Sequence, residues 1–237
     1  MKRIPSRKTS IPARAARSTR KRILIVDDHP LVREGLRATI NNQPDLEVCG
    51  EAGSAAEAQA AVPELRPDLA LIDITLPGKS GLELIKDLNA FAPNLPILAI
   101  SMHEETLYAE RALKAGASGY ITKQQAPGEL VHAIHHVLEG RIYVSERVSE
   151  GILNRFSGRG LANAKSPLEI LSDRELETLQ LIGDGKSLQE IARELHISPK
   201  TVAVHSANLR QKLLLKNTAQ LIRFAVRWQD LRNLETR

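Results

Sequence analysis

Five short apolar runs, ILIV, LEVCG, LALI, ILAI and GYIT, recur within the first 140 residues. After each comes a stretch in which apolar positions return every three or four residues. Runs that short and without alternation suit strands buried on both faces, and the longer period suits amphipathic helices. The pattern predicts strands at 23–27, 47–52, 69–73, 97–101 and 119–122, and helices at 30–41, 54–65, 81–91, 104–114 and 126–139. Strict alternation of strand and helix implies an α/β fold, a doubly wound five-stranded parallel sheet with helices on both faces. Pro63, inside AQAAVPELR, should kink or shorten the second helix, because proline lacks the N–H a helix interior needs. No repeat of 20 to 50 residues marks a solenoid.

Past Gly140 the periodicity changes. The alternating RIYVS leads into an amphipathic SERVSEGILNRF, and then into SGRGLANAKSP, whose Gly, Ser, Asn and Pro read as a linker. Four helices follow, each with a start signal. Ser172 with Glu175 and Ser187 with Glu190 form capping boxes, Ser198 precedes a first-turn Pro199, and Asn217 with Gln220 opens the last helix, 218–228. Gly183 and Gly185 separate the first two helices. The turn His196-Ile197-Ser198 joins helices at 188–195 and 199–213 in a helix-turn-helix. The expected organisation is a tail at 1–21, an α/β domain at 22–140, a linker with a short helix at 141–168, and a small all-α four-helix domain at 169–237.

Charge sharpens this division. Residues 1–22 hold nine Lys or Arg and no acid, residues 23–140 hold eight basic against seventeen acidic side chains, and residues 141–237 hold sixteen against eleven. The formal net charge of +5 therefore averages a basic tail, an acidic middle and a basic end, and the last is the part suited to nucleic acid. The tail, rich in Arg, Ser and Thr, reads as a disordered, solvated extension or as an arm adding nonspecific affinity for DNA phosphates; its composition is also that of a transit peptide. A single cysteine, Cys49, excludes a disulfide framework, suits a reducing cytoplasm and reads as a buried small hydrophobe. No apolar stretch approaches a membrane span.

The candidate chemistry lies where strands end. Asp27 and Asp28 follow the first strand, Asp73 closes the third, Ser101 the fourth, and Lys123 follows the fifth. In an open parallel sheet the carboxyl ends of the strands share one rim, which brings these five groups together. A trio of carboxylates calls for a hard cation, and Mg2+ takes oxygen ligands from carboxylates plus a phosphate. Lys123 and Ser101 can grip phosphoryl oxygens. Any one of these residues has an ordinary explanation, an Asp at a strand end being commonly a turn or cap residue. Their order along five strands is what points to phosphate chemistry.

Residues 22–140 resemble the receiver domain of a two-component response regulator, through Asp27-Asp28, Asp73 with Leu76-Pro77-Gly78 after it, Ser101, and Lys123 three residues beyond Tyr120. The resemblance implies that Asp73 accepts a phosphoryl group from a sensor histidine kinase. It implies Mg2+ held by Asp28, Asp73 and the backbone carbonyl of Thr75, with Asp27 acting through a metal-bound water. Ser101 and Tyr120 become the switch pair, Tyr120 burying its ring when Ser101 engages the phosphoryl group, and Thr75 and His103 the positions that tune hydrolysis. Beyond its own phosphoryl transfer and autodephosphorylation the chain is not expected to be an enzyme. A phosphatase that also forms an aspartyl phosphate would carry a second Asp where this chain has Thr75. A phosphate-independent DNA-binding regulator with a vestigial receiver is the alternative, against which all five site residues stand.

The segment from LSDRELETLQLI to GKSLQEIARELHISPKTVAVHSANLRQKL resembles the LuxR-type DNA-binding domain, and the two halves together resemble a regulator of the NarL/FixJ type. Ile191, Ala192, Leu195, Val202 and Leu213 are core by spacing. DNA-contacting candidates are Ser187, Gln189, Lys200, Thr201, Val204, His205, Asn208, Arg210 and Lys212, with Ser206 also polar on the second helix. Ala203, Val204 and Ala207, at outward positions, can touch a thymine methyl but cannot make a bidentate bond to guanine. Leu221, Ile222, Ala225 and Trp228 give the last helix an apolar face for core and for a dimer contact. Promoter DNA, a second copy of the chain and RNA polymerase are the implied partners. His132, His135 and His136 on the fifth helix read as an exposed or subunit-facing surface.

Overall fold

The computed structural model describes residues 20–102, 105–156, 168 and 170–235. Residues 1–19, the linker at 157–167 and His103 lie outside the described residues. Five strands, β1 (Lys21–Val26), β2 (Leu46–Ala52), β3 (Leu69–Asp73), β4 (Ile97–Ser101) and β5 (Gly119–Thr122), form one parallel sheet in the order β2-β1-β3-β4-β5. Both faces are covered. Ile23, Ile25, Leu69, Leu71, Leu98, Ile100 and Ile121 pack toward α1 (Pro30–Asn41) and α5 (Pro127–Leu138). The alternate residues Leu24, Val26, Ala70, Ile72, Ala99 and Tyr120 pack toward α2 (Ala55–Leu65), α3 (Gly81–Phe91) and α4 (Glu105–Ala115). Two-sided burial explains why the strands read as unbroken apolar runs rather than as alternation.

The N-terminal boundary moves slightly from the sequence expectation. Lys21 already pairs with Leu46, and Arg20 donates to Pro44 O and Gln43 O at 3.0 Å each. Helix α2 runs through Pro63 to Leu65 and ends at Arg66, whose φ is 48°. The proline is not a breaker here, because it falls in the last turn and Val62 is buried. Its missing N–H removes one hydrogen bond from a helix about to end. Cys49 is half-buried rather than buried, and burial raises its thiol pKa.

The second domain contains α7 (Asp173–Gly183), α8 (Leu188–Glu194), α9 (Pro199–Lys212) and α10 (Thr218–Glu235), after the connecting α6 (Glu146–Phe156). Its caps are those the sequence marks. Ser172 and Ser187 form capping boxes with Glu175 and Glu190, and Ser198 accepts from Thr201 N ahead of Pro199. Asn217 Oδ1 accepts from Gln220 N at 3.0 Å, while Gln220 Oε1 accepts from Lys216 N at 2.7 Å. Helix α10 continues to Glu235, beyond the expected 228, since WQDLRNLE contains no Gly or Pro to stop it. Ile191, Ala192, Leu195 and Val202 are core, and Leu213 is half-buried against it.

The two domains pack together. Every residue from Arg174 to Ile182 is buried, including the polar Arg174, Glu175, Glu177, Thr178 and Gln180. An amphipathic helix buried all round has a partner on its polar face. On one side α7 meets α9 and α10; on the other it lies against the receiver-like half. Tyr108 OH donates to Gln180 Oε1 at 2.7 Å. Arg111 donates to Leu168 O at 2.6 Å, Leu171 O at 3.0 Å and Asp173 Oδ1 at 2.9 Å, with Lys86 Nζ 3.2 Å from Asp173 Oδ2.

Candidate phosphoryl site and DNA-reading helix

The rim residues converge as the strand order requires. Asp27 follows β1, Asp73 ends β3, Ser101 ends β4 and Lys123 follows β5. Lys123 Nζ lies 2.7 Å from Asp73 Oδ2 and 2.6 Å from Asp27 Oδ2. Asp27 and Ser101 have no exposed surface, and Asp73 is 2 % exposed. Burial pushes the Asp73 carboxyl up to about 6, against the pull of Lys123. For Lys123 burial works against the charge, but Asp73 and Asp27 outweigh it and hold the ammonium above its ordinary value. The site thus keeps a lysine charged beside acids that need it.

Two loops complete the rim. His29 N donates to Asp27 Oδ1 at 2.9 Å, and His29 Nδ1 is 2.8 Å from Asp28 Oδ1. Thr75 N donates to Asp73 Oδ1 at 3.1 Å, which places the Thr75 backbone in the same loop as the carboxylate. Helix α3 begins close behind: Ser80 is fully buried and forms a capping box with Glu83, and Gly81 N donates to Ile74 O at 2.7 Å.

The acidic groups fit a divalent cation. One ligand atom from each of Asp27, Asp28, His29 and Asp73 lies within 4.8 Å of the others. Asp27 Oδ2 and Asp28 Oδ1 are buried and accept no well-directed hydrogen bond. Hard carboxylate oxygens with spare lone pairs are the donor set Mg2+ prefers.

Tyr120 is the aromatic of the switch pair that the resemblance implies. It already has no exposed surface and belongs to the same apolar cluster as Tyr108 and the α7 residues Leu176 and Leu179.

Helix α9 presents Ala203, Val204, Ala207 and Asn208 to solvent, and Ser187, Gln189 and Lys200 are exposed beside them. Thr201 is half-buried, its hydroxyl 2.8 Å from Ser198 Oγ. Of the α9 residues, Lys212 is paired within the protein, and His205, Ser206 and Arg210 are half-buried. Lys212 Nζ lies 2.7 Å from Glu175 Oε2. His205 is half-buried, and burial lowers its pKa, with Arg174 adding to the effect and Glu175 and Glu83 opposing it. Arg210 and Ser206 line a cavity of about 320 Å³ with Ile182, Ile191, Leu221 and Ile222, where Arg210 Nε and Ser206 Oγ are buried without a hydrogen-bond partner. On α10, Leu221 and Ala225 are core and Trp228 half-buried, while Ile222 and Val226 are 47 % and 40 % exposed.

The histidines of α5 are held apart from this site. His135 Nε2 is 2.8 Å from Asp45 Oδ2, and the rings of His132 and His136 meet Tyr143 edge-on at 5.8 and 5.7 Å. Sequence reasoning missed Tyr108, Arg111, Arg174, Gln180 and His196, which join the domains, and the buried Glu177 that pairs with Arg174. Polar residues on a helix look like a solvated face until the partner is in place.

A sheet of this order with a lysine-bridged acid pocket on its rim, followed by a helix-turn-helix, defines a response regulator with an attached DNA-binding domain. Comparison with known proteins agrees. Residues 23–135 match the response regulator receiver domain, and residues 169–225 match the luxR family of bacterial regulatory proteins. The oxygen regulatory protein NreC of Staphylococcus epidermidis is 35 % identical over 211 residues, 87 % of this chain and 97 % of that protein. The NreC of Staphylococcus aureus strain RF122 is 37 % identical over 210 residues, again 87 % and 97 %. Among solved structures, RcsB of Salmonella enterica serovar Typhimurium bound to promoter rprA with the phosphomimetic BeF3− is 27 % identical, with a TM-score of 0.58 over 87 % of this chain and 98 % of that one. A LuxR-family two-component response regulator from Aurantimonas sp. SI85-9A1 is 40 % identical, with a TM-score of 0.54 over 58 % of this chain and 99 % of that one. The chain belongs to the two-component response regulators of the NarL type, transcription regulators built from a receiver and a LuxR-type DNA-binding domain.

Proposed function

We propose that Asp73 is the phosphoryl acceptor of this regulator and that its modification governs dimerisation and promoter binding. The observation that carries the reading is Lys123 Nζ bridging Asp73 Oδ2 and Asp27 Oδ2 at 2.7 and 2.6 Å on the rim of the sheet. The Asp73 carboxylate attacks the phosphorus of a kinase phosphohistidine, the P–N bond breaks, and the imidazole leaves with the bonding pair. Lys123 holds charge on the equatorial oxygens, and Ser101 donates to one of them. Asp28, Asp73 and the Thr75 carbonyl would hold Mg2+, with Asp27 acting through water, and the ion would supply positive charge against the phosphoryl oxygens. Water hydrolyses the acyl phosphate with Thr75 and His103 tuning its access, and this slow return is the only catalysis assigned to the chain.

A sensor histidine kinase supplies the phosphoryl group, double-stranded promoter DNA receives α9, and RNA polymerase meets the bound regulator. Ser187, Gln189, Lys200, Thr201, Val204, His205, Asn208, Arg210 and Lys212 form the DNA-facing set, with Ile222 and Val226 on α10 facing a second copy. Lys212 would have to leave Glu175 to reach DNA, and His205 would have to become more exposed. No helix among the described residues is long and apolar enough to cross a membrane, in keeping with a cytoplasmic protein.

The test is uptake of label from acetyl phosphate with Mg2+. Asp73→Asn should take up none while keeping its circular dichroism, and Asp28→Ala should need more Mg2+ for the same uptake. Wild-type uptake by Asp73→Asn removes the acceptor assignment; an unchanged Mg2+ requirement in Asp28→Ala removes that ligand.

A further inference from the structure

The DNA-binding domain reaches into the acidic pocket itself. His196, in the turn between α8 and α9, places Nε2 3.1 Å from Asp28 Oδ2, and the Asp28 side chain is only 11 % exposed. The same domain also holds the loop beyond the acceptor: Arg174 donates to Leu76 O and to Gly78 O, the latter at 3.0 Å, and pairs with Glu177 at 2.6 Å. Leu76 directly follows Thr75, whose carbonyl is assigned to the metal. The first contact therefore falls on a carboxylate oxygen assigned to the metal, and the second on the loop that adjoins its carbonyl ligand.

We infer that His196 is a positioning residue that couples domain docking to metal affinity, so that Mg2+ binding and the docked arrangement oppose each other. The inference rests on the reading of Asp28 as a metal ligand. A carboxylate oxygen with an imidazole nitrogen 3.1 Å away is less available to a cation that demands near-ideal octahedral geometry. A cation at Asp28 in turn repels a cationic histidine and turns the carboxylate away from a neutral one. Coupling of this kind is reciprocal: the factor by which docking weakens Mg2+ binding is the factor by which Mg2+ weakens docking. The metal then primes the regulator for release before any phosphoryl group arrives, and Arg174 and Tyr108 supply the remainder of the hold.

The geometry of the turn supplies a usable variant. His196 has φ of 51°, in the left-handed region that Asn tolerates better than most residues. His196→Asn keeps the turn and shortens the reach to Asp28. The full-length chain is titrated with Mg2+ alone, without phosphodonor, following amide NMR shifts for affinity and small-angle scattering for the radius of gyration. The wild-type radius should grow with Mg2+. His196→Asn should bind Mg2+ about fivefold or more tightly and start from a larger radius. Arg174→Leu, which keeps both His196 and Asp28 but loosens docking, should shift the affinity in the same direction. An unchanged affinity in His196→Asn overturns the inference, and so does a weaker one, which makes His196 a ligand instead. A larger radius without tighter Mg2+ binding in Arg174→Leu also overturns it. Asp28→Ala separates the two readings: unchanged Mg2+ affinity there removes the metal assignment, whereas lost affinity there with no effect at His196 removes only the coupling.

Discussion

Glu177 shows how much a single side chain at the domain boundary can decide. It is 1 % exposed, its Oε2 meets Arg174 and its Oε1 has no hydrogen-bond partner. Burial raises its pKa to about 7 from an ordinary 4.5, against the pull of Arg174, with Asp173 and Asp73 adding to the rise. A carboxyl raised in the folded state favours folding while it is protonated. Its contribution is full below about 4.5 and is lost as pH rises through about 7. Urea unfolding of wild type and Glu177→Gln should therefore diverge with pH, wild type losing on the order of 2–3 kcal/mol relative to the variant between pH 5 and pH 8. A constant difference across that range would mean that Arg174 fully compensates the buried charge. The acceptor-site residues were visible in sequence because each ends a strand. Glu177 was not, because nothing in DRELETLQLI distinguishes a buried glutamate from a solvated one.

At the scale of the element, the entry to α3 fixes where Asp73 can sit. A Cβ on Gly81 would lie 1.9 Å from Asp73 O and 2.7 Å from Ile74 Cα, both backbone atoms that cannot swing aside. Gly81→Ala should destabilise the receiver by about 1–3 kcal/mol and slow phosphate uptake by displacing the acceptor. Chemical denaturation and the acetyl phosphate assay check the two effects, and a variant as stable and as reactive as wild type would show that α3 can retreat freely. The starts of α7, α8 and α9 were legible because Ser172, Ser187 and Ser198 cap locally, through bonds spanning three residues. Helix α10 outran its expected end because its length is set by the absence of a stop rather than by the presence of one.

For the whole molecule, the docked arrangement and the DNA-bound one make separate demands. The outward positions of α9 are already exposed, so docking does not bury Ala203, Val204 or Asn208. It holds α7 and the turn at His196 on the receiver instead. A symmetric dimer then requires its second helices to meet successive major grooves, and sites selected from random DNA should be inverted repeats with half-site centres about 10 base pairs apart. An unrepeated half-site would refute the dimer. Salt separates the basic tail from the reading head, because each neutralised phosphate adds about −0.9 to the slope of log affinity against log salt. Deletion of residues 1–19, stopping short of Arg20 and β1, should flatten that slope if the tail meets DNA and leave sequence preference unchanged. Asn208→Ala should instead cost about 1–3 kcal/mol on the selected site and less on random DNA; equal losses on both would assign Asn208 to the backbone.

The sequence by itself determined the elements, the strand order's consequence for the rim, and the five groups gathered there. Those follow from periodicity, from local caps and from a topology in which all strand ends share one edge. Only the tertiary structure decided that Tyr120 is buried, that Lys212 pairs with Glu175 while His205 is half-buried, and that Arg174, Gln180 and His196 of one domain meet the other, His196 at the acidic pocket. Those outcomes depend on contacts between residues as far apart as Asp28 and His196. Local pattern carries no record of such contacts, because a polar side chain awaiting a distant partner has the same neighbours in sequence as one awaiting water.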